Sequence, residues 1–283
     1  MCWTHIREQV VGHGASDRVK ILYYEHAMQM QQNHFKKALK EGRLQIGLWS
    51  SMCSTIAAQV LGESGFDWIV IDGEHAPNEL SDIVAQLQVL DGTHASAVVR
   101  PAWLDTVVMK RMLDSGAQTI LVPFVQNANQ AALAVASVRY PPAGIRGVAP
   151  VIRASHYGRV DHYFKLADAQ MCLLVQVETK EALANLESIA KVDGVDGVLI
   201  GPSDLAASLG HIGNPAHADV QAALRDAVTR LKALGMPAGI LTSNQNEARC
   251  YIEWGYLFVA VGSDINVLRQ GADALVKNFK SCT

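Results

Sequence analysis

Several side chains that could do chemistry follow short apolar runs, at points where predicted β-strands end. Two of them are carboxylates, Glu178 and Asp204, which follow consecutive strands and would face one hard divalent cation. Such a cation prefers oxygen ligands and keeps waters that a substrate can displace, which suits a chelating 2-oxo acid. The polar strand ends are Asp72-Gly73-Glu74-His75, Arg100-Pro101, Gln176-Val177-Glu178, Gly201-Pro202-Ser203-Asp204 and Gly262-Ser263-Asp264.

Enolate chemistry is the natural use of these residues. The cation would withdraw charge from a bound ketone, and Arg100 could hold the enolate oxygen as it becomes negative. Breaking a C–C bond β to a ketone requires removal of the 4-hydroxyl proton, and His75 is the candidate base. A carboxylate bonded to its other ring nitrogen would raise its basicity, and either Asp72 or Asp114 could supply that carboxylate.

The same residue types also have purely structural uses. Asp204 could cap a helix, and Trp49, at the end of the first strand, could either wall a substrate pocket or pack a loop. Six histidines do not fall at a strand terminus, and we expect them to be surface or otherwise satisfied side chains. These are His34, His94, His156, His162, His211 and His217.

The elements that must position the polar strand ends alternate regularly along the chain. Helix-like stretches separate eight short β-branched runs, as expected of parallel strands with crossover helices. Eight βα repeats predict a closed (β/α)8 TIM barrel, with its active site at the carboxyl ends of the strands. The predicted strands are 45–49, 68–71, 97–100, 120–122, 172–177, 198–200, 238–241 and 257–261.

Two segments depart from this alternation. Residues 1–32 are polar without a clean period, and we interpret them as an N-terminal appendage, disordered or preceding the true start, or else a short ordering arm. Residues 33–283 then form the barrel domain. Between the fourth and fifth strands the chain from Tyr140 to about Gln170 is too long for an ordinary loop. Long ordered loops usually cover or line sites, and we expect this one to do so.

Composition narrows the class of protein. With 283 residues and 49% hydrophobic content the chain can bury one large core. Its net charge of −3, with charges scattered along the sequence, argues against nucleic acid or an anionic membrane as a partner. Five well-separated cysteines suggest neither a disulfide framework nor a zinc motif, so a reducing cytoplasm is expected. The apolar runs are far shorter than the roughly 18 residues of a membrane span.

The chain resembles the class II pyruvate aldolases of the HpcH/HpaI family, a group that includes 2-dehydro-3-deoxyglucarate aldolase and 4-hydroxy-2-oxo-heptane-1,7-dioate aldolase. The resemblance extends from about Phe35 to Phe279. Segments around Ser203 and Ser263 are closer to the dehydrodeoxyglucarate enzyme, whereas Pro101-Ala102-Trp103 is closer to the heptanedioate enzyme. The motifs that carry the resemblance are Gln45-Ile46-Gly47-Leu48-Trp49, Asp72-Gly73-Glu74-His75-Ala76-Pro77-Asn78, Arg139-Tyr140-Pro141-Pro142, Gly144-Ile145-Arg146-Gly147-Val148, Gln176-Val177-Glu178 and Gly201-Pro202-Ser203-Asp204-Leu205.

The resemblance implies a barrel of the phosphoenolpyruvate/pyruvate-domain type, assembled as a homohexamer with exchanged C-terminal helices over 264–279. It implies cleavage of 2-oxo-4-hydroxy acids to pyruvate and an aldehyde, either tartronate semialdehyde or succinate semialdehyde, with Mg, Mn or Co as the metal. Asp114 would act on His75 across a subunit boundary. The implied roles are proton acceptor for His75, transition-state stabilisation for Arg100, metal binding for Glu178 and Asp204, and substrate contact for Gln176 and Ser203.

Three other functions compete with this interpretation. A citrate lyase or malyl-CoA lyase type of enzyme would use the same metal and enolate chemistry on thioesters, but no basic cluster for CoA phosphates is evident. A Schiff-base aldolase would need a desolvated lysine at a strand end, and only Lys180 comes close. A catalytically silent barrel, acting as a binding or scaffold protein, would have the same fold, because fold does not imply function.

Overall fold

The computed structural model describes the backbone of residues 5–11 and 19–25 and the whole of residues 28–280. Eight parallel strands close into a barrel in the order β10-β3-β4-β5-β6-β7-β8-β9, which confirms the predicted (β/α)8 TIM barrel. The barrel strands are β3 (Gln45–Ser50), β4 (Trp68–Asp72), β5 (Ser96–Arg100), β6 (Thr119–Val122), β7 (Cys172–Val177), β8 (Gly197–Ile200), β9 (Ala238–Leu241) and β10 (Phe258–Ser263).

Helices surround the barrel as the alternating pattern predicts. Residues 180–190 form two short helices that meet at Asn185, whose side-chain amide donates to the backbone oxygen of Gln126 at 2.9 Å. The helices are α1 (His34–Lys40), α2 (Thr55–Glu63), α3 (Leu80–Leu90), α4 (Thr106–Asp114), α5 (Ala128–Val138), α6 (Tyr163–Gln170), α7 (Lys180–Ala184), α8 (Leu186–Ala190), α9 (Pro202–Ser208), α10 (Ala218–Ala233), α11 (Gln245–Trp254) and α12 (Asp264–Lys280).

The interior of the barrel is filled by alternate residues of each strand. Trp68 and Val70 of β4 point inward, whereas Ile69 and Ile71 pack against the helices. Two glycines make room for the large inner rings. A Cβ on Gly47 would lie 2.3 Å from the Trp68 ring, and one on Gly239 would lie 2.0 Å from the Phe258 ring. The barrel is therefore a packed core rather than a pore.

Helix α1 closes the amino-terminal end of the barrel. Phe35 is fully buried, with its ring centroid 5.5 Å from that of Trp68 and 5.9 Å from that of Phe258. Asn33 caps the helix by accepting from the backbone N–H of Lys36 at 2.8 Å. Aromatic packing therefore seals the barrel interior at this end.

The long connection over 140–170 does not line that open end, so this expectation was wrong. Arg146 pairs with Asp114, the last residue of α4, at 2.9 Å. Arg153 donates to the backbone oxygen of Ser115 and forms an ion pair with Asp91, the residue that ends α3. Because crossover helices run antiparallel to the strands, these helix ends lie at the amino-terminal side of the barrel. The connection therefore braces the side opposite the polar strand ends.

The amino-terminal region contains one antiparallel pair, β1 (His5–Val11) with β2 (Val19–Glu25). The backbone N–H of Met28 donates to the oxygen of Arg159 at 3.2 Å, which attaches the chain to the barrel side. The division at residue 32 stays a prediction. Within residues 28–280, Cys53, Cys172 and Cys250 are unpaired thiols. In the part of the chain that the structure describes, no helix is both long and apolar enough to cross a membrane.

Candidate active site

A buried ion pair joins the ends of β4 and β5. Asp72 and Arg100 are register partners, and both continue the inward-facing series of their strands. The guanidinium donates from Nε to one carboxylate oxygen at 2.9 Å and from Nη2 to the other at 2.8 Å. The backbone N–H groups of Glu74 and His75 also donate to Asp72, at 3.0 and 3.4 Å. This fork fixes the orientation of Arg100.

The other edge of Arg100 contacts Glu74 and Gln176. Its Nη1 lies 2.6 Å from Oε2 of Glu74 and 3.5 Å from Oε1 of Gln176. Trp49 lies beneath the guanidinium, with its ring centroid 5.3 Å away. The guanidinium of Arg100 is thus held by side chains that come from other strands or follow them.

Glu178 is a buried carboxylate that continues the inward series of β7. Its Oε1 accepts from the backbone N–H of Phe124 at 2.8 Å, and its Oε2 accepts from the side-chain amide of Gln176. Burial raises the pKa of Glu178 to about 7, and the negative charge of Asp204 adds to that effect. The two hydrogen bonds favour the ionised form but do not outweigh burial. The carboxylate is therefore costly to ionise in the absence of a nearby positive charge.

The absence of a side chain at Gly201 lets Glu178 lie close to the backbone at the end of β8. A Cβ on Gly201 would lie 2.4 Å from Oε2 of Glu178 and 2.9 Å from its Cβ. Any side chain at this position would therefore displace the carboxylate.

Asp204 and Ser203 lie in the first turn of α9 and are exposed at the mouth. The helix begins after Gly201, with Pro202 in its first turn, and no side chain caps it. The interpretation of Asp204 as a helix cap was therefore wrong. The negative charge of Asp204 instead helps to raise the pKa of the Glu178 and Glu74 carboxyls.

His75 is exposed at the mouth, with 67% of its side chain accessible. Its Nε2 lies 3.9 Å from Oε1 of Glu74. The expectation that Asp72 bonds its ring was wrong, because the Asp72 carboxylate is occupied by Arg100 and by backbone N–H groups.

Within one chain, Asp114 is not part of this site. It lies at the opposite end of the barrel, where its carboxylate accepts from the fully buried Arg146. Its action on His75 across a subunit boundary stays a prediction.

Trp49 does not pack a loop. It is 4% exposed and lies inside the barrel, edge-on to Trp68 with a centroid separation of 6.0 Å. Its Nε1–H is buried and has no hydrogen-bond partner among the described residues. Trp49 therefore forms part of the floor under Arg100, with one donor unused.

Sequence reasoning gave no role to Glu74, although it lies in the Asp72-Gly73-Glu74-His75 motif. Burial raises the pKa of Glu74, the adjacent Arg100 and His75 lower it, and Asp72 and Asp204 raise it. The sequence did contain an indication of this role. Glu74 lies two residues after the inward-facing Asp72, and alternate residues of an extended chain face the same side. The site thus holds four carboxyls, of Asp72, Glu74, Glu178 and Asp204, against the single guanidinium of Arg100.

A barrel with buried carboxylates and an oriented guanidinium at the carboxyl ends of its strands has the form of an enzyme active site. The chain belongs to the HpcH/HpaI aldolase/citrate lyase family, whose model matches residues 45–271. It is an aldolase, and hence a carbon–carbon lyase.

Individual relatives are similar over most of their length. A 4-hydroxy-2-oxo-heptane-1,7-dioate aldolase of Klebsiella pneumoniae is 54% identical over 248 residues, which cover 87% of this chain and 94% of that protein. A pyruvate aldolase of Rhizobium etli is 50% identical over 252 residues, covering 89% and 99%. The crystal structure of an HpcH/HpaI aldolase/citrate lyase family protein from Burkholderia cenocepacia has a TM-score of 0.86 at 36% identity, covering 88% and 100%.

Proposed function

We propose that the chain cleaves 4-hydroxy-2-oxo acids, with 4-hydroxy-2-oxo-heptane-1,7-dioate as the first candidate, to pyruvate and an aldehyde, with a divalent cation held by Glu178 and Asp204. The observation that carries the proposal is the placement of two carboxylates at neighbouring strand ends: Glu178 is buried after β7, and Asp204 lies in the first turn of α9 after β8. The charge of Asp204 adds to the effect of burial in raising the pKa of Glu178. Carboxylates crowded in this way have an excess of negative charge that a divalent cation neutralises. The names of the relatives from Klebsiella and Rhizobium support the substrate class.

The donor set fits a hard cation. Two carboxylates from adjacent strand ends supply oxygen ligands, and the exposure of Asp204 leaves room for waters and for a chelating substrate. Mg, Mn and Co all accept such ligands, and we propose that one of these is used. When bound, the cation would polarise the ketone of the 2-oxo acid.

The remaining steps belong to side chains of the chain itself. Arg100 is fixed by Asp72. Its Nη1, which pairs with Glu74 in this structure, would donate to the oxygen that becomes negative when the C–C bond breaks. Gln176 lies between Arg100 and Glu178, and we propose that it contacts the carboxylate end of pyruvate. Ser203, in the first turn of α9, is the second proposed contact. Together these residues would hold the pyruvate half.

His75 is the proposed acceptor of the 4-hydroxyl proton. Its exposure at the rim suits contact with the outer, aldehyde half of the substrate. Glu74 would orient the ring in this chain. In an assembled hexamer Asp114 of a neighbouring subunit is proposed to do so as well.

Lys180 offers no support for a Schiff-base alternative. Its side chain is exposed at the start of α7. Its backbone N–H donates to Oγ of Ser208 at 2.9 Å. A Schiff-base lysine lies in a desolvated pocket, whereas the side chain of Lys180 is exposed.

The test is pyruvate release coupled to lactate dehydrogenase, from 4-hydroxy-2-oxo-heptane-1,7-dioate and from 2-dehydro-3-deoxyglucarate, with EDTA or with added Mg or Mn. We expect metal-dependent pyruvate, and the ratio of the two rates identifies the aldehyde half. Pyruvate at full rate in EDTA would contradict the role of Glu178 and Asp204. Release only from acyl-CoA substrates would indicate a thioester lyase, and release from none a silent barrel.

His75→Ala tests the base. General acid–base catalysis contributes roughly 100- to 10,000-fold, so cleavage should slow within that range. Pyruvate binding, followed as the rise in Tm that pyruvate causes in Mn-loaded protein, should stay within about twofold of the original affinity, because His75 contacts neither Glu178 nor Gln176 in the described structure. Normal turnover would show that another group takes the proton.

A further inference from the structure

The carboxylate of Glu74 lies between the two residues that handle charge and proton in the proposed function. Its Oε2 is 2.6 Å from Nη1 of Arg100, and its Oε1 is 3.9 Å from Nε2 of His75. The side chains of Arg100 and Glu74 are only 6% and 15% exposed. The edge of Arg100 that the enolate oxygen would need is therefore occupied, in this structure, by a carboxylate of the same chain.

Two carboxylates share the guanidinium of Arg100, and they hold it differently. Asp72 accepts two directed hydrogen bonds, from Nε at 2.9 Å and from Nη2 at 2.8 Å. Oε2 of Glu74 is buried and has no partner with hydrogen-bond geometry among the described residues, so its contact with Nη1 rests on charge alone. A forked pair is stronger than an undirected one. Glu74 is thus the anion that an incoming carboxylate or enolate oxygen displaces more easily.

The backbone at Glu74 is fixed, so release of Arg100 requires only that the Glu74 side chain rotate. The backbone N–H groups of Glu74 and His75 donate to Oδ1 of Asp72 at 3.0 and 3.4 Å. The N–H of Gly73 donates to the backbone oxygen of Arg100 at 2.8 Å. A glutamate side chain changes position by rotation between staggered rotamers. On leaving Arg100, the carboxylate has a second partner close by in the ring of His75.

We propose that Glu74 is a positioning residue that exchanges partners: it occupies Nη1 of Arg100 until substrate binds, is displaced by an oxygen of the 2-oxo acid, and then pairs with His75 alone. The exchange rests on the proposed function, in which Arg100 receives that oxygen. Occupation of Arg100 by substrate frees a carboxylate to orient the ring of His75 and to stabilise its protonated form. The base is therefore strengthened at the moment when substrate is in place.

Displacement has a cost that a purely structural ion pair would not have. An apparent affinity is reduced by the fraction of protein in which the binding group is already occupied. Removing the Glu74 carboxylate should therefore tighten pyruvate binding, because Arg100 keeps its fork to Asp72 and loses its internal competitor. If Glu74 served instead to brace Arg100, its removal would weaken pyruvate binding. The two roles thus predict changes of opposite sign.

The experiment is a calorimetric titration of pyruvate into full-length, Mn²⁺-loaded protein, with kcat for pyruvate release from 4-hydroxy-2-oxo-heptane-1,7-dioate measured on the same samples. The variants are Glu74→Gln, which keeps the size of the side chain, and Glu74→Ala, which vacates Nη1 completely. Glu181→Gln is the matched control, because Glu181 is an exposed carboxylate in the first turn of α7, at the same end of the barrel. We expect both Glu74 variants to bind pyruvate at least about fivefold more tightly and to lose at least about tenfold in kcat, with neither change in Glu181→Gln.

Several results would overturn the exchange of partners. Weaker pyruvate binding by both Glu74 variants would make the carboxylate a brace, and equal tightening in Glu181→Gln would show general electrostatic attraction rather than displacement. Tighter binding with unchanged kcat would overturn the transfer to His75. In each of these cases the parent still binds and releases pyruvate, so the proposed function stands. A parent that binds no pyruvate in the presence of Mn²⁺ would instead refute the proposed function and the exchange with it.

Discussion

Replacing Glu178 with glutamine removes a buried negative charge while keeping the size of the side chain. The ordinary pKa of the carboxyl is 4.5, and burial with the charge of Asp204 raises it to about 7 in the folded protein. Since a tenfold change in an equilibrium corresponds to about 1.4 kcal/mol, ionised Glu178 destabilises the metal-free fold by about 3 kcal/mol above pH 7. The amide loses one of the two accepted hydrogen bonds, that from Gln176, which costs about 1 kcal/mol.

The sign of the pH dependence follows from proton binding. Between about pH 4.5 and pH 7 the folded state holds the Glu178 proton and the unfolded state has released it. Stability contributed by this group is therefore fully present below pH 4.5, falls as pH rises, and is lost above pH 7. Glu178→Gln should be more stable than the parent by about 2 kcal/mol at pH 8 and no more stable at pH 5.

The assay is thermal unfolding in EDTA at pH 5 and pH 8. For a chain of this size about 2 kcal/mol corresponds to a rise in Tm of roughly 4 °C or more. Glu253→Gln, at an exposed position of α11, is the control and should not change the Tm at either pH. A variant that melts at or below the parent at pH 8, or that gains equally at pH 5, would refute the electrostatic account. Added Mn²⁺ should stabilise the parent more than the variant.

Three further predictions concern the surrounding structure. Arg100→Lys loses the two-point fork to Asp72 but keeps the positive charge. We expect pyruvate release to fall at least about 100-fold and unfolding by urea to show a loss of about 2 kcal/mol, as for one hydrogen bond to a charged group. Near-normal rates would contradict the orienting role of Asp72. Gly201→Ala places a Cβ 2.4 Å from Oε2 of Glu178, and should weaken Mn²⁺ binding measured by calorimetry while the circular dichroism spectrum is unchanged. Deletion of residues 1–29 should leave the rate of pyruvate release within about twofold. Among the described residues, the N–H of Met28 makes the only backbone hydrogen bond from that stretch to the barrel. A protein that no longer folds would identify the stretch as a structural arm.

The sequence by itself determined the barrel and the side chains at its mouth. Strand alternation is a local property, so the eight apolar runs predicted the eight barrel strands to within two residues at either end. Parity along each strand then directs Asp72, Arg100, Gln176 and Glu178 inward, because successive side chains point to opposite faces. Parallel strands present their carboxyl ends on one side, which brings distant segments together without knowledge of their packing.

Tertiary structure decided the partners of those side chains. That Asp72 binds Arg100 rather than the ring of His75 depends on strand register, and the approach of Glu74 to Arg100 depends on how the β4 turn folds back. The opposite end of the barrel holds Asp114 and the connection over 140–170. A crossover helix runs back along the barrel, so a residue close in sequence to the end of a strand can lie a full helix length away from it. The stacking of His211 on His217 likewise arises from the turns between α9 and α10. Sequence patterns specify which way a side chain faces, whereas distances between side chains on different elements are set by packing.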